Sequence, residues 1–280
     1  LIPMDRLATA AHLYQVWSEL AELDWRFGRD PEPAMTQMRH YRAMAVEPGG
    51  NALLTYLLEL RVARERGTGV EAAWEAFRRC EARVEIRPQT HWASTLKGEG
   101  WLEWALWQEA QGQDAEPPAV QALAHLTTAL QIRPDEVFAH GHLARVRGLI
   151  LVTRHRRGLD TAEALVHARS AAQLAVKVAP GFHLAHLAAA EAHFAMAQVS
   201  FARGGDPHPA LEAAFASLQH ARRCNPRYFP TDLLQAQVAR WAMQADPTRR
   251  EHHLQVLHRA CQQGARLRPD LKAWVIARHP

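Results

Sequence analysis

The triplet Ile132-Arg133-Pro134 is followed 46 residues later by Val178-Ala179-Pro180, and triplets that end in proline recur along the whole chain. The recurring prolines are Pro48, Pro88, Pro134, Pro180, Pro226 and Pro269, separated by steps of 40, 46, 46, 46 and 43 residues. A period of about 20 to 50 residues is typical of proteins built from stacked repeats. The spacing therefore predicts an array in which each unit packs on its neighbours and presents a surface for binding other molecules.

Glycine and aspartate divide each unit into two segments. The first segment ends at a glycine, which is Gly28, Gly67, Gly112, Gly158 or Gly204. The second segment follows an aspartate, which is Asp30, Asp114, Asp160, Asp206 or Asp246. Glycine suits the left-handed position after a helix, aspartate caps a helix start, and proline cannot continue a helix. Because good helix formers dominate the segments, the pattern predicts an all-α chain with helix A, a short turn, helix B and a proline stop in each unit.

Small residues occupy fixed positions relative to each proline. Twelve residues before it stand Ala76, Ala122, Ala168 and Ala214, and five residues before it stand Ala43, Ala129, Ala175 and Ala221. Ten residues after it, in helix A, stand Gly98, Ala144, Ala190 and Ala236. Small side chains let two helices approach closely, so these columns predict the sites of helix-to-helix packing.

The small residues in both helices and the proline after helix B resemble the tetratricopeptide repeat. The resemblance covers about residues 4–280 and implies a right-handed α-solenoid of antiparallel helix pairs, a TPR-like superhelix that forms a single repeat domain over residues 1–280. The implied units are residues 1–48, 49–88, 89–134, 135–180, 181–226 and 227–269, followed by a closing helix at residues 270–280. The repeats are longer than the usual unit of about 34 residues, and the family's Trp-Leu-Gly-Tyr signature is mostly lost.

Two turns carry a narrower resemblance. Gly28-Arg29-Asp30-Pro31-Glu32-Pro33-Ala34 and Gly204-Gly205-Asp206-Pro207-His208-Pro209-Ala210 are similar to turns in repeat arrays that follow the catalytic domain of some bacterial serine/threonine protein kinases. This resemblance implies an alternative function, a regulatory or substrate-recruiting region whose catalytic domain lies outside this chain. The chain begins at Leu1 rather than at methionine, which fits a piece of a longer protein. It has no Gly-rich phosphate loop, no His-Arg-Asp loop and no Asp-Phe-Gly motif, so we predict that it is not an enzyme.

Composition narrows the class of protein. The 280 residues include 33 basic and 29 acidic side chains, a net charge of +4, and these charges are interspersed. A nucleic-acid-binding protein usually has a clustered basic face instead. The cysteines Cys80, Cys224 and Cys261 are far apart, which favours a reducing compartment without disulfides. With no apolar run long enough to span a membrane and no signal-peptide pattern, we predict a cytoplasmic protein that binds no nucleic acid, membrane, metal or cofactor, with its oligomeric state left open.

One polar column fits the concave groove that helices A form in the tetratricopeptide family. Eleven residues after each proline stand Glu59, Glu99, Arg145, Glu191 and Gln237. A column that stays polar while its neighbours are apolar or small should face solvent. We interpret this column as a ladder that hydrogen-bonds an extended peptide or a partner helix. The alternative is an ordinary solvated stripe.

Aromatic and histidine positions extend the predicted groove. Trp92 and Phe138 share one column with Leu184, and His140 and His186 share another. Aromatic residues dominate the binding energy of many interfaces, so these positions are candidate anchors. Packing between adjacent repeats is the alternative for them. The sequence as a whole predicts a scaffold or docking module that binds a protein or peptide in a concave helix-A groove.

Overall fold

The computed structural model describes residues 4–26, 29–44, 51–84 and 91–267, and all regular structure in these ranges is helical. Twelve α-helices are described: α1 Met4–Arg26, α2 Glu32–Met44, α3 Asn51–Arg66, α4 Val70–Glu81, α5 His91–Ala110, α6 Glu116–Ile132, α7 Val137–Arg156, α8 Ala162–Val178, α9 His183–Ala202, α10 His208–Cys224, α11 Phe229–Ala245 and α12 Arg250–Leu267. The prediction of an all-α chain is confirmed. None of these helices is both long enough and apolar enough to cross a membrane.

Several sequence predictions concern residues outside the described ranges. These are the turn glycine Gly28, the unit-closing prolines Pro48, Pro88 and Pro269, and the closing helix at residues 270–280. The other three closing prolines are described. Each of them stands two residues after the last residue of an even-numbered helix. The helices α6, α8 and α10 end at Ile132, Val178 and Cys224, and the prolines are Pro134, Pro180 and Pro226.

The turn between α7 and α8 shows how the local sequence joins two helices. Gly158 has a φ of 68°, in the left-handed region where glycine is not strained by a side chain. The backbone N–H of Leu159 donates to the carbonyl of Arg154 at 3.0 Å, which satisfies one of the last carbonyls of α7. The Asp160 carboxylate then accepts from the backbone N–H of Ala162 at 3.0 Å. The predicted role of glycine is confirmed in this turn, whereas Asp160 stands one residue before Thr161, the N-cap of α8, and binds the first helical N–H.

The helices contact one another in a regular order along the chain. Each odd-numbered helix contacts the even-numbered helix that follows it, from α1 with α2 to α11 with α12. Each odd-numbered helix also contacts the next odd-numbered helix, and α4, α6, α8 and α10 contact the odd-numbered helix after them. The odd-numbered helices therefore form a continuous run of neighbours, and this run carries the candidate site.

The small-residue columns lie where helices approach. Ala122, Ala168 and Ala214 of the even-numbered helices are fully buried, as are Ala144 and Ala190 of the odd-numbered helices. Gly98 occupies the same column in α5, and a Cβ atom there would lie 2.7 Å from Cγ of Leu126 in α6. Most column residues are therefore packing positions, as the sequence predicts, but Ala43 of α2 is exposed and Ala76 of α4 is half-buried.

The aromatic residues of α4 and α5 also serve packing. Trp74 of α4 stacks on Trp104 of α5 with the ring centroids 5.0 Å apart and meets the edge of Trp101 at 4.8 Å. The indole N–H of Trp101 donates to Glu81 at 3.1 Å, so the polar atom of this half-buried ring has a partner. Trp101 and Trp104, with Trp107, are partly buried against this cluster.

Candidate binding groove

A groove with a volume of about 1050 Å³ follows the odd-numbered helices. Its walls consist of residues from α1, α3, α5, α7, α9 and α11 and from the turns beside them, and none of the described residues of the even-numbered helices lines it. The groove therefore lies on one side of the run of odd-numbered helices described above.

Six of the nine residues predicted to bind a partner line this groove. They are Glu99, Arg145, Glu191 and Gln237 of the polar column, together with Trp92 and Phe138. The column stays together because a step of about 46 residues brings the chain to the same position of the next odd-numbered helix. Gln237 is exposed and Phe138 is 39% exposed, but Glu99 is buried, so the prediction that the polar column faces solvent is wrong for Glu99.

The structure does not bring the other three residues to the groove. Glu59 points to α2, where its carboxylate accepts from Arg39 at 2.8 Å and from Arg42 at 3.1 Å. His140 and His186 are buried, and their Nε2 atoms each lie 2.8 Å from the carbonyl oxygen of Pro134 and Pro180, respectively. These histidines tie the start of an odd-numbered helix to the proline that ends the preceding unit.

A first chain of polar contacts, formed by Glu22, Arg61, Glu99 and His142, crosses the groove floor from α1 to α7. Arg61 of α3 donates to Glu22 of α1 at 3.2 Å and also to Glu99 of α5. The second oxygen of Glu99 lies 3.1 Å from Nε2 of His142 in α7. All four side chains are at least about nine-tenths buried, so this chain joins four helices beneath the open part of the groove.

A second chain of charged groups runs beside the first, from α3 to α9. Arg64 of α3 donates to Glu103 of α5 at 2.6 Å. Arg145 of α7 lies 3.7 Å from the other oxygen of Glu103 and donates to Glu191 of α9 at 2.6 Å. The Arg145 and Glu191 side chains are 20% and 29% exposed, so this end of the chain reaches the solvent of the groove.

The neighbouring charges keep the carboxylates of Glu99 and Glu103 ionised. Burial raises the pKa of Glu99, but the attraction of Arg61 and His142 outweighs burial and holds that pKa well below its usual range. Burial likewise raises the pKa of Glu103, but the positive charges of Arg64 and Arg145 outweigh this effect, so the pKa of Glu103 is also lowered. The groove floor therefore presents fixed charges at neutral pH.

Aromatic residues form a wall where the odd-numbered helices begin. The ring of Phe138 meets the edge of Phe182 with the centroids 5.2 Å apart. His183 follows, 5.2 Å from Phe182 and 4.7 Å from Tyr228. Phe182 and Tyr228 line the groove with Phe138 and Trp92. Phe138 is exposed, Trp92 and Phe182 are half-buried and Tyr228 is buried, so Phe138 provides most of the open apolar surface of this aromatic wall.

The groove is acidic although the chain is basic. Eight carboxylates line it: Glu22, Asp30, Glu65, Glu99, Glu103, Glu109, Glu136 and Glu191. Five guanidinium groups line it: Arg61, Arg64, Arg66, Arg145 and Arg156. With histidine counted as neutral, carboxylates exceed guanidinium groups by three, whereas the whole chain has a net charge of +4.

Sequence reasoning missed several residues that build this site. Arg61, Glu103 and His142 belong to the charged chains, and Phe182 and Tyr228 belong to the aromatic wall. Two signals were available in the sequence. Glu103 stands four residues after Glu99 and so shares its helix face, and Phe182 and Tyr228 are 46 residues apart.

Comparison with protein families and with curated proteins finds no match to this chain. Among the described residues, no group of three or more histidine, cysteine, aspartate or glutamate side chains could hold a metal ion. Evidence on what this protein does therefore comes from the groove itself.

Proposed function

We propose that this chain is a non-catalytic docking module that binds an extended peptide, or an extended segment of a partner protein, in the groove of its odd-numbered helices. In this proposal the helix pairs are antiparallel and stack into a right-handed, TPR-like α-solenoid, and the groove is its concave face. The order of helix contacts supports this arrangement, because each helix contacts its near neighbours along the chain.

The observation that carries the proposal is the chemical character of the groove. Polar side chains from successive helices, Glu99, Arg145, Glu191 and Gln237, line one continuous groove of about 1050 Å³. An aromatic wall lines the same groove, so apolar side chains and backbone polar groups of an extended ligand would both find partners. Affinity would then arise from a few aromatic anchors and many weaker contacts.

The experiment is an affinity purification with the chain as bait and identification of bound proteins by mass spectrometry. The first variant is Phe138→Asp, which places a charge on the aromatic wall at a residue that is 39% exposed. The matched control is Val166→Asp in α8, which is 62% exposed and does not line the groove.

A partner that binds the wild-type chain and Val166→Asp, but not Phe138→Asp, supports binding in the groove. A partner that binds all three proteins equally moves the interaction to another surface and contradicts the proposal. Circular dichroism should show that both variants keep the helical content of the wild type, because both substitutions are at exposed positions.

A further inference from the structure

The groove differs in charge from the rest of the chain, and this difference indicates the charge of a ligand that it would bind. Carboxylates that line the groove exceed guanidinium groups by three, in a chain whose net charge is +4. A concave site with walls of low dielectric focuses the field of the charges that line it. An acidic peptide or a nucleic acid would be repelled there, and a basic segment would be attracted.

The part of the groove between α9 and α11 is where a basic group of the ligand would be attracted most directly. Among the described residues of α9 and α11 that line it, Glu191 is the one charged side chain. One of its oxygens accepts from Arg145 at 2.6 Å, and its other oxygen accepts no hydrogen bond from the described part of the chain. The corresponding residue of α11 is the exposed, uncharged Gln237. A cationic group could therefore approach Glu191 from the α11 side without meeting a guanidinium group.

The surroundings of Glu191 are otherwise apolar. Leu187 and Phe194 lie on the same helix and line the groove, and Leu234 faces them from α11. Phe182 and Tyr228 of the aromatic wall line the groove at the start of these helices. A ligand that brings a cation to Glu191 therefore needs apolar side chains on either side of it.

We infer that the partner segment is basic and amphipathic: an extended stretch in which lysine or arginine alternates with apolar residues, with one cation paired to Glu191. This inference rests on the proposed function, because it names the chemistry of the ligand for the same groove. It assigns Glu191 as the specificity residue and the aromatic wall as the surface for the apolar side chains.

The test uses three fluorescent peptides of equal length that alternate leucine with lysine, with serine or with glutamate. Binding is measured by fluorescence anisotropy against the wild-type chain and three variants. Glu191→Gln removes the proposed partner of the cation, and Arg145→Gln removes the guanidinium group that competes for Glu191. Glu163→Gln is the control, because this α8 side chain is 76% exposed, lies outside the groove and gives the same change in net charge as Glu191→Gln.

The leucine–lysine peptide should bind most tightly to the wild type, and Glu191→Gln should weaken it about tenfold, as expected for loss of one charge-assisted pair. Arg145→Gln should tighten the same peptide several-fold, and Glu163→Gln should leave its affinity unchanged. Equal or tighter binding of the glutamate or serine peptide, lost in Phe138→Asp, would overturn the basic ligand and leave the groove as the binding site. Failure of all three peptides to bind would overturn both the inference and the proposed function.

Discussion

At the scale of single residues, Arg61 is the side chain on which the groove floor most depends. It is 7% exposed and lies between the carboxylates of Glu22 and Glu99, which belong to two different helices. Removing it takes the guanidinium partner from two buried carboxylates, and such a loss typically costs about 3–5 kcal/mol. We expect Arg61→Ala to lower the free energy of unfolding by that amount in urea denaturation.

Arg66, on the same helix, provides the control for Arg61. Its side chain is 46% exposed and pairs with Asp30 and Glu32 at the protein surface. Exposed ion pairs contribute about 0–1 kcal/mol, so Arg66→Ala should change stability within that range. Equal losses in the two variants would mean that burial does not distinguish the two arginines.

Glu99 makes the stability of the groove floor depend on pH. The pKa of Glu99 in the folded chain lies below its usual value, because Arg61 and His142 outweigh the effect of burial. A lowered folded-state pKa means that ionised Glu99 contributes stability above its unfolded pKa of about 4.3. This contribution is lost as the pH falls through the folded-state pKa.

We therefore expect the free energy of unfolding to fall as the pH is lowered below about 4.3, and Glu99→Gln to flatten that fall. The measurement is urea denaturation at a series of pH values from neutral to acidic. The exposed substitution Glu163→Gln serves as the control and should follow the wild-type profile. A Glu99→Gln profile parallel to the wild type would show that other carboxylates dominate acid unfolding.

The position of a residue within the sequence repeat does not reveal which groups its side chain contacts. His140 and His186 occupy the same position in two units and resemble groove residues in the sequence, yet both bind a backbone carbonyl behind the groove. Glu59 stands in the polar column but pairs with α2. A side chain's partner depends on the rotation of its helix and on the charges of its neighbours, and the period of the sequence fixes neither.

At the scale of helices, Gly100 decides how closely α4 and α5 pack. A Cβ atom at this position would overlap the ring of Phe77 in α4, which is fully buried. Overpacking of this kind typically costs about 1–3 kcal/mol. We expect Gly100→Ala to destabilise the chain in that range, and Phe77→Leu to recover part of the loss when both changes are combined, as a double-mutant cycle in urea would measure.

Gly181, in the turn before α9, provides the control for Gly100. A Cβ atom there would have no neighbour within 4 Å. Gly181→Ala should therefore be neutral or stabilising by up to about 1 kcal/mol, because it restricts the unfolded chain. A similar loss at both glycines would assign the cost to glycine replacement in general rather than to the contact with Phe77.

The sequence predicted the helices better than it predicted their contacts. Glycine, aspartate and proline mark helix ends through backbone conformation and hydrogen bonding, which are local properties, and the alanine columns mark close approach. The same period placed Glu99, Arg145 and Glu191 in one column that lines the groove. The pairing of Arg61 with Glu22 and Glu99 joins three helices and depends on their relative rotation, so no local pattern contained it.

At the scale of the whole molecule, the contacts of the described helices follow their order along the chain. α7 contacts α5, α6, α8 and α9, whereas α1 contacts α2 and α3. In the repeat array that we propose, stability would be close to a sum of contributions within units and between neighbouring units. A substitution that disrupts one helix interface should therefore destabilise the helices at that interface more than distant helices.

Gly148 allows this expectation to be tested. It lies in α7 against α9, and a Cβ atom there would be 3.2 Å from Cα of Ala192. Gly141, on the same helix, is the control, because the nearest atoms to a Cβ there lie at 3.9 Å and 4.0 Å. We expect Gly148→Val to increase amide hydrogen exchange in α7 and α9, with little change in α1 and α2, and Gly141→Val to have a smaller effect in the same helices. Hydrogen exchange with mass spectrometry resolves the helices separately. An equal increase in α1, α2, α7 and α9 would show that the array opens as one unit, so that units and interfaces could not be treated as separate contributions.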